Sequence, residues 1–412
     1  MAAACVRQEP LLGLMAPLRS GRFRRSERGL AVQPSKGIMG LDYVALAIPF
    51  YFLLIGVELW AARRRKQRVY RLADTLTNIG CGIMQQVGML FLGATLLTGY
   101  TFIFEHARLI HFRAGSPVPW LMAFVAVDFL YYWWHRLSHT VNALWAVHMV
   151  HHQSEDYNLS VALRQAVFDG LTMWPFFLTM AFLGVPPMAM ATAVALSSLF
   201  QFWLHTELVR RLGFLELFLN TPSHHRVHHA INPRYLDKNF GAVLIVWDRL
   251  FGTFEEEREP TVYGITHPMR SFNPLWVQVA PWVKLAREAR RTPRWRDKLH
   301  VWFASPEWHP PGVEVQSQPL APPGSERKYD VEVSARMRWY LAAHFGLQVV
   351  ATFALMLWGK ALSLPVLVAA ASVLLLSLVT GAGLLEHRRW APALELARWG
   401  LLGVLGWVAL RV

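Results

Sequence analysis

Cysteine is nearly absent. Cys5 and Cys81 are the whole complement of a 412-residue chain, which excludes a disulfide framework and a thiolate-ligated metal site. Acid is scarce as well, with 27 Asp and Glu against 41 Lys and Arg and a formal charge of +14. No Glu is followed by His three residues later, so the Glu-x-x-His signature of carboxylate-bridged di-metal bundles is missing. H-E-x-x-H is missing too, which excludes the usual soluble zinc-protease helix.

What the chain has instead is apolar and aromatic: 54% hydrophobic residues, 18 Trp and 24 Phe. That composition suits a multi-pass membrane protein better than a soluble domain of this length. A basic excess can mean nucleic acid, but here Lys and Arg lie between apolar runs. They read as topology determinants beside anionic lipid, and no nucleic-acid partner is expected.

Residues 1–38 are Arg-rich and lack an apolar core, and Met39 offers a second start. They are expected to be a disordered or misassigned extension. The first span is expected from Asp42 to Trp60, ending in six Lys or Arg between Arg63 and Arg71, a cluster that belongs on the cytoplasmic side. Further spans are expected within Asn78–Phe104 and from about Trp120 to Trp134. A helical pair follows around the turn at Gly184 to Pro187 and ends near His205. Three more apolar runs occupy Trp339–Trp358, Pro365–Leu385 and Leu394–Leu410. The expected fold is all-α, a multi-pass transmembrane helical bundle with a cytoplasmic, histidine-rich helical cap. Its parts are a membrane-embedded catalytic domain over 39–274, a polar cytoplasmic connector over 275–338, and C-terminal transmembrane helices over 339–412.

Ten of the 17 histidines fall between His135 and His229. "HRLSH" separates His135 and His139 by four residues, so both rings lie on one helical face. "HMVHH" sets His148 one turn from His151 and His152, and "HRVHH" repeats the pattern at His225, His228 and His229. Counting crossings brings these clusters, with His205, to the membrane face that holds the basic cluster. Imidazole is a common metal ligand, and one-turn spacing lets two rings hold one ion. Nine candidate ligands exceed the need of one ion, so two ions are expected. Hydrogen-bonded interfacial histidines or a pH sensor remain the plain alternative. Zinc, copper, nickel and iron all suit imidazole.

The three boxes resemble those of the fatty acid hydroxylase/sterol desaturase superfamily, membrane enzymes with a dinuclear iron centre. "DFLYYWWHRLSH", "HHQSEDYNLSVALRQ", "QFWLHTELV" and "NTPSHHRVHHAINPRYLDKNFGAVLIVWDRLFGTFEEE" are similar to its alkylglycerol monooxygenase branch over about Asp42 to Pro274. The resemblance implies an O2-dependent lipid monooxygenase with two iron ions, a lipid substrate from the membrane, and tetrahydrobiopterin or another reductant as electron donor. It implies His135, His139, His148, His151, His152, His205, His225, His228 and His229 as ligands, with His224 behind them. That branch commonly has Glu directly after the first box, where this chain has Thr140.

Asp128, seven residues before His135, either supports a ligand or packs helices; an acid within a span is costly without a partner. Glu155 and Asn158, directly after the second box, either orient ligands or belong to a loop. A fatty-acid, sterol or carotenoid hydroxylase or desaturase is the alternative within the superfamily. A membrane metal transporter or sensor would place its ligands at the bilayer midplane rather than at span ends.

Overall fold

The computed structural model describes residues 43–310 and 327–409, and the segment 1–38 lies outside them. The described chain is helical. Leu219–Leu244 and Ala230–Tyr263 are its only β pairings, each an isolated bridge.

The first helix, α1 (Tyr43–Arg64), stops in the basic cluster. The second, α2 (Leu72–Ala107), runs 36 residues, about 54 Å at 1.5 Å per residue, well beyond a hydrocarbon core of about 30 Å. It begins before Asn78, because the polar face of Asp74, Thr77 and Asn78 finds buried partners. Next come α3 (Val118–Thr140) and α4 (Asn142–His152), parted by the single extended residue Val141. Then α5 (Asp169–Phe182) and α6 (Pro187–Phe202) form the expected pair.

The middle region holds two short helices, α7 (Pro222–His228) and α8 (Val246–Leu250). After them lie α9 (Pro274–Arg291) and α10 (Trp295–Phe303). The chain ends in α11 (Ala335–Trp358), α12 (Leu364–Leu385) and α13 (Ala391–Ala409).

Among the described residues four stretches are long and apolar enough to cross a membrane: Ala45–Arg64, Leu72–Ala107, Ala335–Ala361 and Leu364–Leu385. The sequence promised more. The helix α6 has only 16 residues, about 24 Å, and α3 carries Asp128, Arg136 and two histidines along its length. The protein is a multi-pass membrane protein by these helices.

The long α2 serves two cores. Its first half packs Leu76, Ile83, Met84 and Val87 against Leu341 and Phe345 of α11 and Leu374 and Leu378 of α12. Its far end sets Tyr100 among Val127 of α3, Phe177 and Met180 of α5, and Ala189 and Ala193 of α6. The outward faces remain apolar, as on α1, where Phe50, Leu53 and Trp60 are exposed. In lipid that exposure carries no hydrophobic penalty.

The turn between α5 and α6 depends on Gly184, whose φ is +82° and whose position is wedged against the Ile110 carbonyl. A Cβ there would lie 2.1 Å from that oxygen, in a backbone region that already costs about 1–3 kcal/mol for other residues. Gly184→Ala is expected to lower the thermal midpoint of the detergent-solubilised protein by several degrees, read by scattering or size exclusion after heating. Gly115→Ala, at φ +77° with open space around it, should cost less.

Candidate metal centre

The helical breaks described above bring all nine predicted ligands together. His135 and His139 occupy the last turns of α3, and His148, His151 and His152 the end of α4. His205 lies just past α6, while α7 supplies His225 and His228 and is capped by His229. Pro222 at the first position of α7 suits a helix start, since its missing N–H would be unpaired there anyway.

The imidazoles divide into two buried groups. His135, His139, His148, His152 and His228 form one; His151, His205, His225 and His229 form the other. Within each group the candidate ligand nitrogens lie within 4.8 Å of one another. The groups touch: the rings of His152 and His229 stack at 4.4 Å, and those of His225 and His228 at 5.2 Å. The H-x-x-H-H spacing explains the division. In α4 the i, i+4 pair His148 and His152 serves the first group while His151 turns to the second. In α7 the pair His225 and His229 serves the second group while His228 turns to the first.

Hydrogen bonding assigns the tautomers. The Nδ1 atoms of His135, His151, His205 and His228 lie 2.7–3.0 Å from the carbonyls of Phe240, Arg164, Gln201 and Lys238. Each Nδ1 therefore donates, and each Nε2 presents a lone pair inward. His151 and His205 then set two bare Nε2 lone pairs 3.2 Å apart. Two acceptors at that distance repel unless a cation lies between them. With metal–imidazole bonds of about 2.0–2.1 Å, nitrogens on one ion stand roughly 2.9–3.4 Å apart. The separation fits. The buried Nε2 atoms of His135, His139, His228 and His229 have no other partner. The donor set is imidazole throughout, consistent with a di-metal site.

Burial works against protonation in this site. It pushes His148, His152, His225, His228 and His229 well below the ordinary histidine value, helped by the neighbouring imidazoles. His151 is pushed down to about 4, mainly by burial. Aromatic side chains wall the site: Trp145 against His139 and His152, Tyr157 against His205 and His229, and Phe240 against His135 and His228. Tyr263 stacks on Tyr157 at 4.7 Å.

The remaining candidates lie one layer out. Asp128 accepts from the backbone N–H groups of Val243 and Leu244 and from Trp247 Nε1. It ties α3 to the segment after Phe240, whose carbonyl holds His135. Glu155 accepts from Tyr329 N and faces Arg71 at 3.6 Å. Asn158 caps the turn after it through Ser160 N and donates to the Val69 carbonyl. His224 belongs to neither group; its carbonyl accepts from Asn239. Thr140 is exposed and bonds back to the Arg136 carbonyl.

Two supporting residues, Arg164 and Arg226, gave no sequence signal, whereas Asp237 reads in the sequence as either a ligand-orienting or a loop residue. Arg164, nearly fully buried, donates to Val150 O, Asn78 Oδ1 and Gln153 Oε1 while its own carbonyl fixes His151. Arg226, between two ligands, makes a paired contact with Glu257 and reaches the Thr206 and Val209 carbonyls. Asp237, with φ +56°, sets its carboxylate 3.4 Å from His139 Nδ1. Spacing announces ligands, whereas such partners are set only by the folded loops.

Metal analysis should find two ions per chain, with at least one lost in His151→Ala or His228→Ala and none in His111→Ala. Protons compete for the same nitrogens. An unfolded histidine takes a proton near 6.5, the folded His151 only near 4. Stability and metal retention should therefore be full above about pH 6.5 and fall as the pH drops toward 4.

Residues 120–253 match the fatty acid hydroxylase family. The chain is 40% identical over 362 residues to the human alkylglycerol monooxygenase, covering 87% of this chain and 81% of that protein. It is 37% identical to the alkylglycerol monooxygenase of Xenopus tropicalis, over 87% of this chain and 80% of that one. With an ornithine lipid hydroxylase of Rhizobium tropici it shares 29% identity over 56% of this chain and 70% of that protein. No solved structure matches. A bundle whose buried imidazoles pair off as above, with such relatives over most of its length, is a histidine-box oxidoreductase, and the chain belongs to the fatty acid hydroxylase family as an alkylglycerol monooxygenase-like member.

Proposed function

We propose that the protein is an ether-lipid monooxygenase acting on 1-alkylglycerols or their lysophospholipids. The carbon beside the ether oxygen is hydroxylated, and the resulting hemiacetal collapses to a fatty aldehyde and a glycerol product. One oxygen atom of O2 enters the substrate and the other is reduced to water by two electrons and two protons. The electron donor is a reduced pterin such as tetrahydrobiopterin, or another two-electron reductant. The observation that carries this reading is the pair of buried Nε2 groups, held in a chain whose relatives are named alkylglycerol monooxygenases over most of its length.

Two iron ions, held by the five-histidine and four-histidine groups, would supply the O2 activation when bound. The chain's own work is positional. The carbonyls of Phe240, Arg164, Gln201 and Lys238 hold four Nδ1–H groups so that each lone pair faces inward. Trp145, Tyr157 and Phe240 keep water from the rings, which limits unproductive loss of the oxidant. Asp128 and Asn158 act through these loops as positioning residues, and Glu155 links the second box to the segment before α11.

A fatty-acid or sterol-type hydroxylation is the second reading. It is favoured by the shared family and by the similarity to an ornithine lipid hydroxylase. The test is incubation of the iron-loaded membrane protein with an alkylglycerol, O2 and several reductants. Oxygen-dependent release of fatty aldehyde is expected, and Asp128→Ala should lower it at least tenfold. No aldehyde from a preparation that does hydroxylate a fatty acid or sterol would replace the first reading by the second. Thr140→Glu, on an exposed turn, should preserve the activity.

The site faces the cytoplasm in this proposal. Arg65 donates to the Leu208 carbonyl and Arg71 pairs with Asp156, so the basic cluster stands beside the boxes, and such clusters favour the cytoplasmic side. In sealed vesicles oriented cytoplasmic side out, an impermeant maleimide should reach Thr266→Cys and not Ala114→Cys, both exposed positions. The reverse pattern would invert the topology.

A further inference from the structure

The helix α10 combines two features that the metal centre does not use. One face exposes Trp295, Leu299 and Phe303, four residues apart and 66%, 56% and 72% accessible. Beside that stripe opens a cleft of about 500 Å³ lined by Arg294, Arg296, Asp297, His300, Trp308 and His309. Between Lys284 and Lys298 the sequence carries seven Lys or Arg against Glu288 and Asp297.

We propose that this cleft binds the phosphate headgroup of an anionic glycerophospholipid, whose chains lie along Trp295, Leu299 and Phe303. An apolar stripe flanked by cations is the arrangement of a helix lying in a membrane interface, and basic side chains there attract anionic headgroups. A free anion would use the cleft and leave the stripe uncovered; a lipid uses both. Arg296 already lies over the Trp295 ring at 5.6 Å, and His300 packs edge-on against Trp308 at 4.5 Å. His309 is held by Glu288 at 3.2 Å. The one acid in the cleft, Asp297, leaves it cationic.

The helix also packs against the element that carries the second histidine box. Asn142, at the junction where α3 gives way to α4, donates its backbone N–H to the Ala304 carbonyl and its amide to the Val301 carbonyl, both at 2.9 Å. Ala146 of α4 packs with Leu285, Ala289 and Val301. A lipid seated on α10 therefore braces the helix that carries the second histidine box. The inference needs the membrane placement but not the ether-lipid chemistry, so either can fail alone.

The test is native mass spectrometry of the metal-loaded protein in neutral detergent, titrated with phosphatidylglycerol, phosphatidylcholine or glycerol 3-phosphate. Phosphatidylglycerol is expected to bind at least tenfold more tightly than either of the others. Arg294→Glu/Arg296→Glu should remove that preference, and Trp295→Ala/Leu299→Ala should weaken phosphatidylglycerol severalfold, with metal content unchanged in both. If the charge reversal disturbs folding, Arg294→Gln/Arg296→Gln should show an intermediate loss at full metal content. Equal binding of phosphatidylcholine, competition by glycerol 3-phosphate at equal concentration, or unaltered binding in the glutamine variant would overturn the assignment.

Discussion

The structure is organised around a repulsion. His151 and His205 each spend their Nδ1 proton on a backbone carbonyl and so face each other with bare nitrogen lone pairs. A proton on either ring would relieve that contact, but burial works against it and pushes His151 down to about 4. A metal cation relieves it, and its gain is largest because the site is dry and its dielectric low. The first group repeats the logic with His135 and His228, whose Nε2 atoms are buried and unpartnered. The surrounding fold keeps uncomfortable atoms in place for an ion.

Holding them takes a rigid frame, and most of it is polar and buried. Arg164 fastens α4 to α2 through Val150, Asn78 and Gln153. Arg226 fastens α7 to the chain beyond His205, and Asp248 gathers the N–H groups of Phe240 and Gly241 so that the Phe240 carbonyl meets His135. Buried charge is tolerated because each of these groups is hydrogen-bonded, and Arg226 is also ion-paired with Glu257. Outside this frame, α2 ties the lipid-facing helices to the site as one continuous rod.

The two histidine groups were legible in the sequence because helical period is arithmetic: four residues return a side chain to the same face. The breaks between helices were less so. Val141, one extended residue between two helical runs, has no composition that marks it, yet it decides where α4 points. Asp128 showed up as an acid inside an apolar run, but its partners, Val243, Leu244 and Trp247, lie more than a hundred residues away. Arg164 and Arg226 looked like ordinary loop or helix charges. Hydropathy also marks the 16-residue α6, which is shorter than the helices long enough to cross a membrane.

The junction at Val141 has one more consequence. Adjacent histidines serve different groups, His151 one and His152 the other, as do His228 and His229. The two histidine groups are thus supplied by the same helix at two angular phases. Shifting α4 by one residue turns it by about 100°, which would carry each imidazole out of its own group and into the sector of its neighbour's. The length of this joint, one extended residue, therefore sets which imidazole meets which group.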